Sequence, residues 1–160
     1  MVKLETVQET VCEIVRGVAV LKASATPANL DKFIFADDGT QREAIEDALK
    51  SLGWAVVVSP PIGAGTVTQA GATSTSSGNL SHLNVLTNIA VRTNPKKNTG
   101  ENAVNLMGVV AQIIKAALDW KPGPQEKGFT LPPERPFEPD FVDEGCFSYD
   151  LRLLKTVTII

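Results

Sequence analysis

His82-Leu83-Asn84-Val85-Leu86-Thr87-Asn88-Ile89-Ala90-Val91-Arg92-Thr93 is the stretch on which the fold turns. Leu83, Val85, Thr87, Ile89 and Val91 occupy alternate positions, and His82, Asn84, Asn88 and Arg92 fall between them. Successive side chains of an extended chain point to opposite faces, so this period of two predicts a strand over 82–93 with one wet face. Asn94-Pro95 ends it, because proline has no N–H to give to a sheet ladder.

On the C-terminal side, Asn98 with Glu101 makes a capping arrangement for a helix over 102–119. Val104, Met107, Val110, Ile114 and Leu118 are its expected core face. On the N-terminal side, Trp54 to Val58 is apolar and β-branched and closes at Ser59-Pro60-Pro61, which predicts a buried strand. Before it, Thr40 and Glu43 form a capping box. Ala44, Ile45, Ala48, Leu49 and Leu52 then give one apolar face to a helix over 41–52, which Gly53 stops. Phe33, Ile34 and Phe35 form a short apolar run, a candidate short strand, before the turn signal Asp37-Asp38-Gly39. Residues 1–21 hold a first helix: Leu4, Val7, Val11, Ile14, Val15 and Val18 recur at spacings of three and four, and the pattern leaves open whether this helix lies apart. At the far end Phe147, Tyr149, Leu151 and Leu153 alternate, and Val157 and Ile159 continue after a phase break at Leu153-Leu154. The expected fold is α/β (α+β). It has a mixed, mainly antiparallel sheet from 54–58, 82–93 and 146–159, with two or three helices packed on one face and residues 1–160 forming one domain.

Two stretches break the pattern. Residues 62–79 are almost entirely Gly, Ala, Thr and Ser, which predicts a flexible arm, either a long loop or an extended hairpin. Residues 121–140 carry six prolines between Pro122 and Pro139, with Gly123 and Gly128, and read as a semi-rigid extended linker.

A composition of 43% apolar and 21% charged residues is that of a chain able to bury a core without disulfides or metals. A net charge of −3 gives no long-range attraction to nucleic acid or anionic lipid, so neither sequence-specific nucleic-acid binding nor membrane association is expected. Lys96, Lys97 and Arg92 beside Asn94-Pro95 read as a solvated loop. No basic leader opens the chain, and Arg16, Ser59 and Lys115 interrupt its apolar stretches well short of the ~20 residues of a membrane span. With no secretion signal expected, Asn79-Leu80-Ser81 reads as a chance sequon. Cys12 and Cys146 are expected to be reduced, part-buried thiols.

Catalytic constellations are scarce. The one histidine, His82, rules out a histidine cluster for zinc and reads as a surface side chain on the wet strand face. Gly63-Ala64-Gly65-Thr66-Val67-Thr68 follows a strand, yet position 68 is not glycine and no helical pattern follows to present its N-terminus to a phosphate. Glu138, Asp140, Asp143 and Glu144 lack the spacing and central glycine of a calcium loop. No catalytic residue, cofactor or metal is expected.

The irregular segments point outward instead. Long loops in a compact domain are usually functional, and an apolar terminal strand invites pairing with another chain unless it is covered at home. The expected partner interface comprises Gly65, Thr66, Val67, Thr68 and Gln69 in the arm, Pro132 and Pro133 in the linker, and Val157 and Ile159 in the last strand.

Over about residues 41–160 the order is a capped helix into a strand at 40–58, an arm, and a long strand ending in Val91-Arg92-Thr93-Asn94-Pro95. A helix at 102–118, an irregular linker and a closing strand at 147–160 follow. This order resembles the tail terminator, or tail-completion, proteins of tailed bacteriophages, although the Pro-rich linker is longer than the family pattern. The resemblance implies a structural virion protein and not an enzyme. It implies a homohexameric ring at the head-proximal end of the tail tube, which stops tube polymerisation and joins tail to head. The implied partners are further copies of the chain, the tail tube protein and a head–tail connector or head-closure protein. The implied location is the tail or neck of the virion, after synthesis in the bacterial host cytoplasm. The alternatives are another neck or minor tail component, an unrelated ring-forming scaffold, and a small ligand-binding or enzymatic α/β domain.

Overall fold

A computed structural model describes residues 2–66, 82–124, 128–141 and 145–158. In chain order the elements are α1 (Val7–Arg16), α2 (Ala19–Ser24), β1 (Ile34–Ala36), α3 (Arg42–Ser51), β2 (Trp54–Val58), β3 (Ile62–Thr66), β4 (His82–Thr93), α4 (Leu106–Asp119), β5 (Phe137–Phe141) and β6 (Phe147–Thr158). Short 3-10 segments stand at Leu4–Thr6 and Pro27–Lys32.

The alternating stretch is β4, the axis of the sheet. β6 pairs with it antiparallel along its whole length, from His82 opposite Thr158 to Thr93 opposite Phe147. On the other edge of β4, β2 and β3 lie end to end: Val58 stands opposite Ile89 and Ile62 opposite Leu86, with Ser59-Pro60-Pro61 between them. β1 joins β2 in parallel, the only parallel pair of named strands among the described residues, and β5 joins β6. A parallel pair needs a crossover, and α3 supplies it. The result is a mixed α+β fold with an open, mainly antiparallel six-stranded sheet.

Directly opposed residues share a sheet face, so the register sorts the side chains. Trp54, Val56, Val58, Val85, Ile89, Val91, Leu151, Leu153 and Val157 share one face and are all buried. α1 and α4 cover them: Val7 of α1 meets Val85 and Val157, with Trp120 at the end of α4 packed against the same cluster. A single hydroxyl ties the far side together. Ser24 Oγ accepts from Trp54 Nε1 at 2.8 Å and donates to the Asn102 carbonyl at 2.5 Å, joining α2, β2 and the loop before α4.

Among the described residues, the helix that covers the opposite face lies at its β1–β2 end. There Phe35, Ala55 and Val57 are buried, and α3 turns Ile45, Ala48 and Leu49 inward. The helices therefore lie on both faces of the sheet and not on one, because the β1–β2 crossover places α3 away from α1 and α4.

Other expectations are revised. The first helix breaks at Gly17, and Val18 adopts an extended conformation, so α1 and α2 are separate; both are built into the core, with Val11, Val15 and Leu21 fully buried. The Thr40 box does not form: Thr40 Oγ1 donates to Asp38 Oδ1 at 2.6 Å inside the turn, and α3 starts after Gln41 with no side-chain cap. α4 is capped by Asn105, whose Oδ1 accepts from Gly108 N at 2.9 Å. Asn98 instead grips Val104 by two bonds of 2.8 Å, its Nδ2 donating to the carbonyl and its Oδ1 accepting from the N–H. The proline-rich stretch runs along β6: Thr130 bridges Leu154, Arg152 N donates to the Pro136 carbonyl, and β5 closes the edge with Pro139 in it. β6 is therefore an interior strand. Of the 62–79 arm, 62–66 is β3, and 67–81 lie outside the described residues.

Gly53 joins α3 to β2 at φ +80°, and a methyl there would overlap the backbone of Lys97 and Asn98. Gly53→Ala is expected to cost about 2 kcal/mol or more, through both the left-handed conformation and the clash. Asn105→Ala should cost about 1 kcal/mol by loss of one cap. Urea denaturation measures both, and a Gly53→Ala cost below that of Asn105→Ala would contradict this packing.

Candidate assembly interface

Of the expected interface residues, Gly65, Thr66, Pro132, Pro133 and Val157 lie among the described residues. Gly65 and Thr66 end β3, where Thr66 pairs with Leu83. Val67, Thr68, Gln69 and Ile159 lie outside the described residues, as do Asp143, Glu144 and the Asn79 sequon. Pro132 is half-buried and Pro133 exposed in the turn before β5. Val157 is 0% exposed inside the chain's own core, packed with Val2, Val7 and Val85, and this removes it from any interface. Lys96 and Lys97 are exposed and Arg92 is half-buried. His82 begins β4, its backbone opposite Thr158, and its imidazole lies outside the described side chains. Both cysteines are free thiols. Cys12 is fully buried in the core, and burial, with Glu9 nearby adding to it, pushes its thiol up to about 11. No group of three or more His, Cys, Asp or Glu side chains able to hold a metal ion occurs among the described residues. No helix among them is long and apolar enough to cross a membrane.

Three features of the surface stand out. The first is the sheet face that α3 leaves open. Across it run rows set by the register: Arg92, Ser148 and Asp140; Ala90, Asp150 and Glu138; Asn88 and Arg152; Ile62, Leu86 and Leu154. Ile62 is 63% exposed. The Arg152 guanidinium pairs with the Glu138 carboxylate and donates to the Arg135 carbonyl at 3.1 Å. Ser148 is only 1% exposed. Its Oγ, Arg92 Nε and Asn88 Oδ1 are buried with no hydrogen-bond partner among the described residues. Burial raises the Asp150 carboxyl above its ordinary value; Asp140 and Glu138 add to the shift, while Arg152 and Arg92 oppose it.

The second feature is the outer side of α4. Its inner side buries Val109, Val110, Ile113 and Ala117. The expected core residues Met107 and Leu118 instead point away, 44% and 42% exposed, with exposed Ala111 and half-buried Ile114 between them. The third is a groove of about 370 Å³ between α3 and the β1 edge. Phe33, Phe35, Ala44 and Ala48 line it, and Asp31, Lys32, Asp47 and Ser51 complete its walls.

Sequence reasoning missed the second feature although its signal was present. Among the residues of α4 only Lys115 and Asp119 are charged, which leaves apolar side chains enough for a stripe wider than one packing face. The groove and the open face arise from where α3 lands, which residue spacing does not encode. No family model matches the chain, and no curated protein matches it.

Val157→Asp would place an unpaired charge in the core and is expected to cost about 4 kcal/mol or more. Circular dichroism of the isolated protein should show a folding defect; a well-folded variant defective only in assembly would contradict the buried placement. Asp150→Asn tests the open face. A carboxyl whose pKa is raised by folding favours the folded state below its unfolded value and loses that contribution as pH rises through its folded value. Asp150→Asn should therefore raise the melting temperature at pH 7, with the gain vanishing at and below pH 3.8, the ordinary value for this carboxyl. A lowered melting temperature at pH 7 would show that attraction to Arg152 and Arg92 outweighs burial.

Proposed function

We propose that this chain is a structural subunit of a bacteriophage tail: a tail terminator that forms a ring on the head-proximal end of the tail tube, stops its polymerisation and carries the joint to the head. One observation carries the assembly part of the reading. α4 is apolar on two sides, and the core uses only one of them. Apolar area left in water costs about 25 cal/mol per Å², a cost that a neighbour covering it removes. The order behind the family resemblance supports the more specific part: α3 and β2, then β4, α4, the proline-rich stretch and β6 follow one another in the fold, with β3 between β2 and β4. That support is an analogy of architecture, since a fold alone hosts many functions.

A second reading has one observation in its favour. The groove beside α3 has the size and apolar lining of a small-ligand pocket, which fits a ligand-binding or enzymatic α/β domain.

Phage particles made without this chain should carry overlong tail tubes and no joined heads, as seen by negative-stain electron microscopy. Tails of normal length with heads attached would sink the terminator reading. His82→Ala should leave head joining intact; loss of function with assembly unaffected would favour the enzymatic reading.

A further inference from the structure

β5 is the edge strand beside β6, and the charges around this edge are sorted by strand. Glu138 of β5 stands directly opposite Asp150 of β6, and Asp140 stands opposite Ser148 in the next row of the same face. Like charges directly opposed across two strands repel. The cations that face Asp150 lie elsewhere: Arg92 is on β4 and Arg152 on β6 itself. Burial is the largest influence on the Asp150 carboxyl and raises it; Asp140 and Glu138 act in the same direction, and the two arginines oppose it. Were β5 to leave, both acidic neighbours would go with it and both arginines would stay.

Arg152 is the group for which the two carboxylates compete. Its guanidinium pairs with Glu138 and donates to the Arg135 carbonyl, which holds β5 in place. Glu138 also meets Arg135 at 3.7 Å. Yet Arg152 lies two residues from Asp150 on the same strand face. Of the β5 side chains that are described none is buried: Phe137, Pro139 and Asp140 are exposed and Glu138 is half-buried. We propose that β5 is a releasable strap, closed on β6 while Asp150 is neutral and loosened when Asp150 carries its charge. A carboxyl that docking buries among other carboxylates favours docking while protonated and opposes it once ionised. With β5 away, ionised Asp150 takes the guanidinium that Glu138 gives up. The departure bares the outer edge of β6 over 147–151, a row of backbone N–H and C=O groups of the kind with which another strand pairs. This switch belongs to the single chain and needs no ring.

Amide hydrogen exchange of the full chain, expressed as protection factors so that the intrinsic effect of pH cancels, tests the strap. From pH 4, just above the ordinary 3.8 of this carboxyl, to pH 8, protection of β5 should fall by about threefold or more. Protection of β4 over 85–91 should hold. Asp150→Asn should keep β5 closed at pH 8, and Asp140→Asn, at an exposed position outside the core, should raise β5 protection at that pH. Unchanged circular dichroism verifies that both variants fold. Protection of β5 that is the same at both pH values in the unaltered chain would overturn the proposal, as would an equal fall in Asp150→Asn. Lower β5 protection in Asp140→Asn at pH 8 would show that this carboxylate holds the strand down, and would overturn it too. A parallel fall in β4 would mean that the whole sheet opens and that no separate strap exists.

Discussion

The antiparallel pairing of β4 with β6, unbroken from one end of each strand to the other, is the constraint on which the remaining structure hangs. Every other strand reaches the sheet through one of these two: β2 and β3 along the free edge of β4, β5 along the free edge of β6, and β1 through β2. The register also decides which side chains meet the helices. A slip of one residue would turn Val85, Ile89, Leu151 and Leu153 to the open face and Arg92, Asp150 and Arg152 into the core. The unequal chemistry of the two faces holds that register in place.

What was legible in the residues follows from how local each signal is. β4 and β2 are readable because alternation and β-branching are properties of the strand itself. The caps are harder, since Thr40 and Asn98 each have two nearby backbone or side-chain partners. Asp38 wins the first, and the loop at Val104 wins the second. The phase of α4 fails for a different reason. Its residues satisfy two apolar stripes at once, and only the position of the sheet selects the one bearing Val109 and Ile113. β6 seemed to need a partner because its cover, Thr130 and the β5 strand, sits in a proline-rich stretch whose composition argues against strands. An edge position tolerates Pro139, since an edge strand has one side without ladder bonds.

The candidate surfaces were less legible than the fold, and for a physical reason. A catalytic site announces itself through residue types, such as clustered histidines or a glycine loop before a helix. An assembly surface is whatever apolar or unsatisfied area remains after the core has formed. Met107 and Leu118 carry no signal as individual residues; they become informative only once Val110 and Ile113 are seen to face the sheet. The same holds for Ser148, Arg92 and Asn88, whose buried polar atoms stand out only after the register places them on one face.

In the proposed ring the outer side of α4 is covered by another copy. Met107 reports on it directly, being the one methionine other than Met1 and 44% exposed in the isolated chain. Peroxide converts an accessible methionine to the sulfoxide, so the rate of that reaction follows the exposure of the thioether. Measured by peptide mass across a dilution series, oxidation of Met107 should slow at least tenfold as concentration rises and copies associate. A rate that is the same at every concentration would contradict the account.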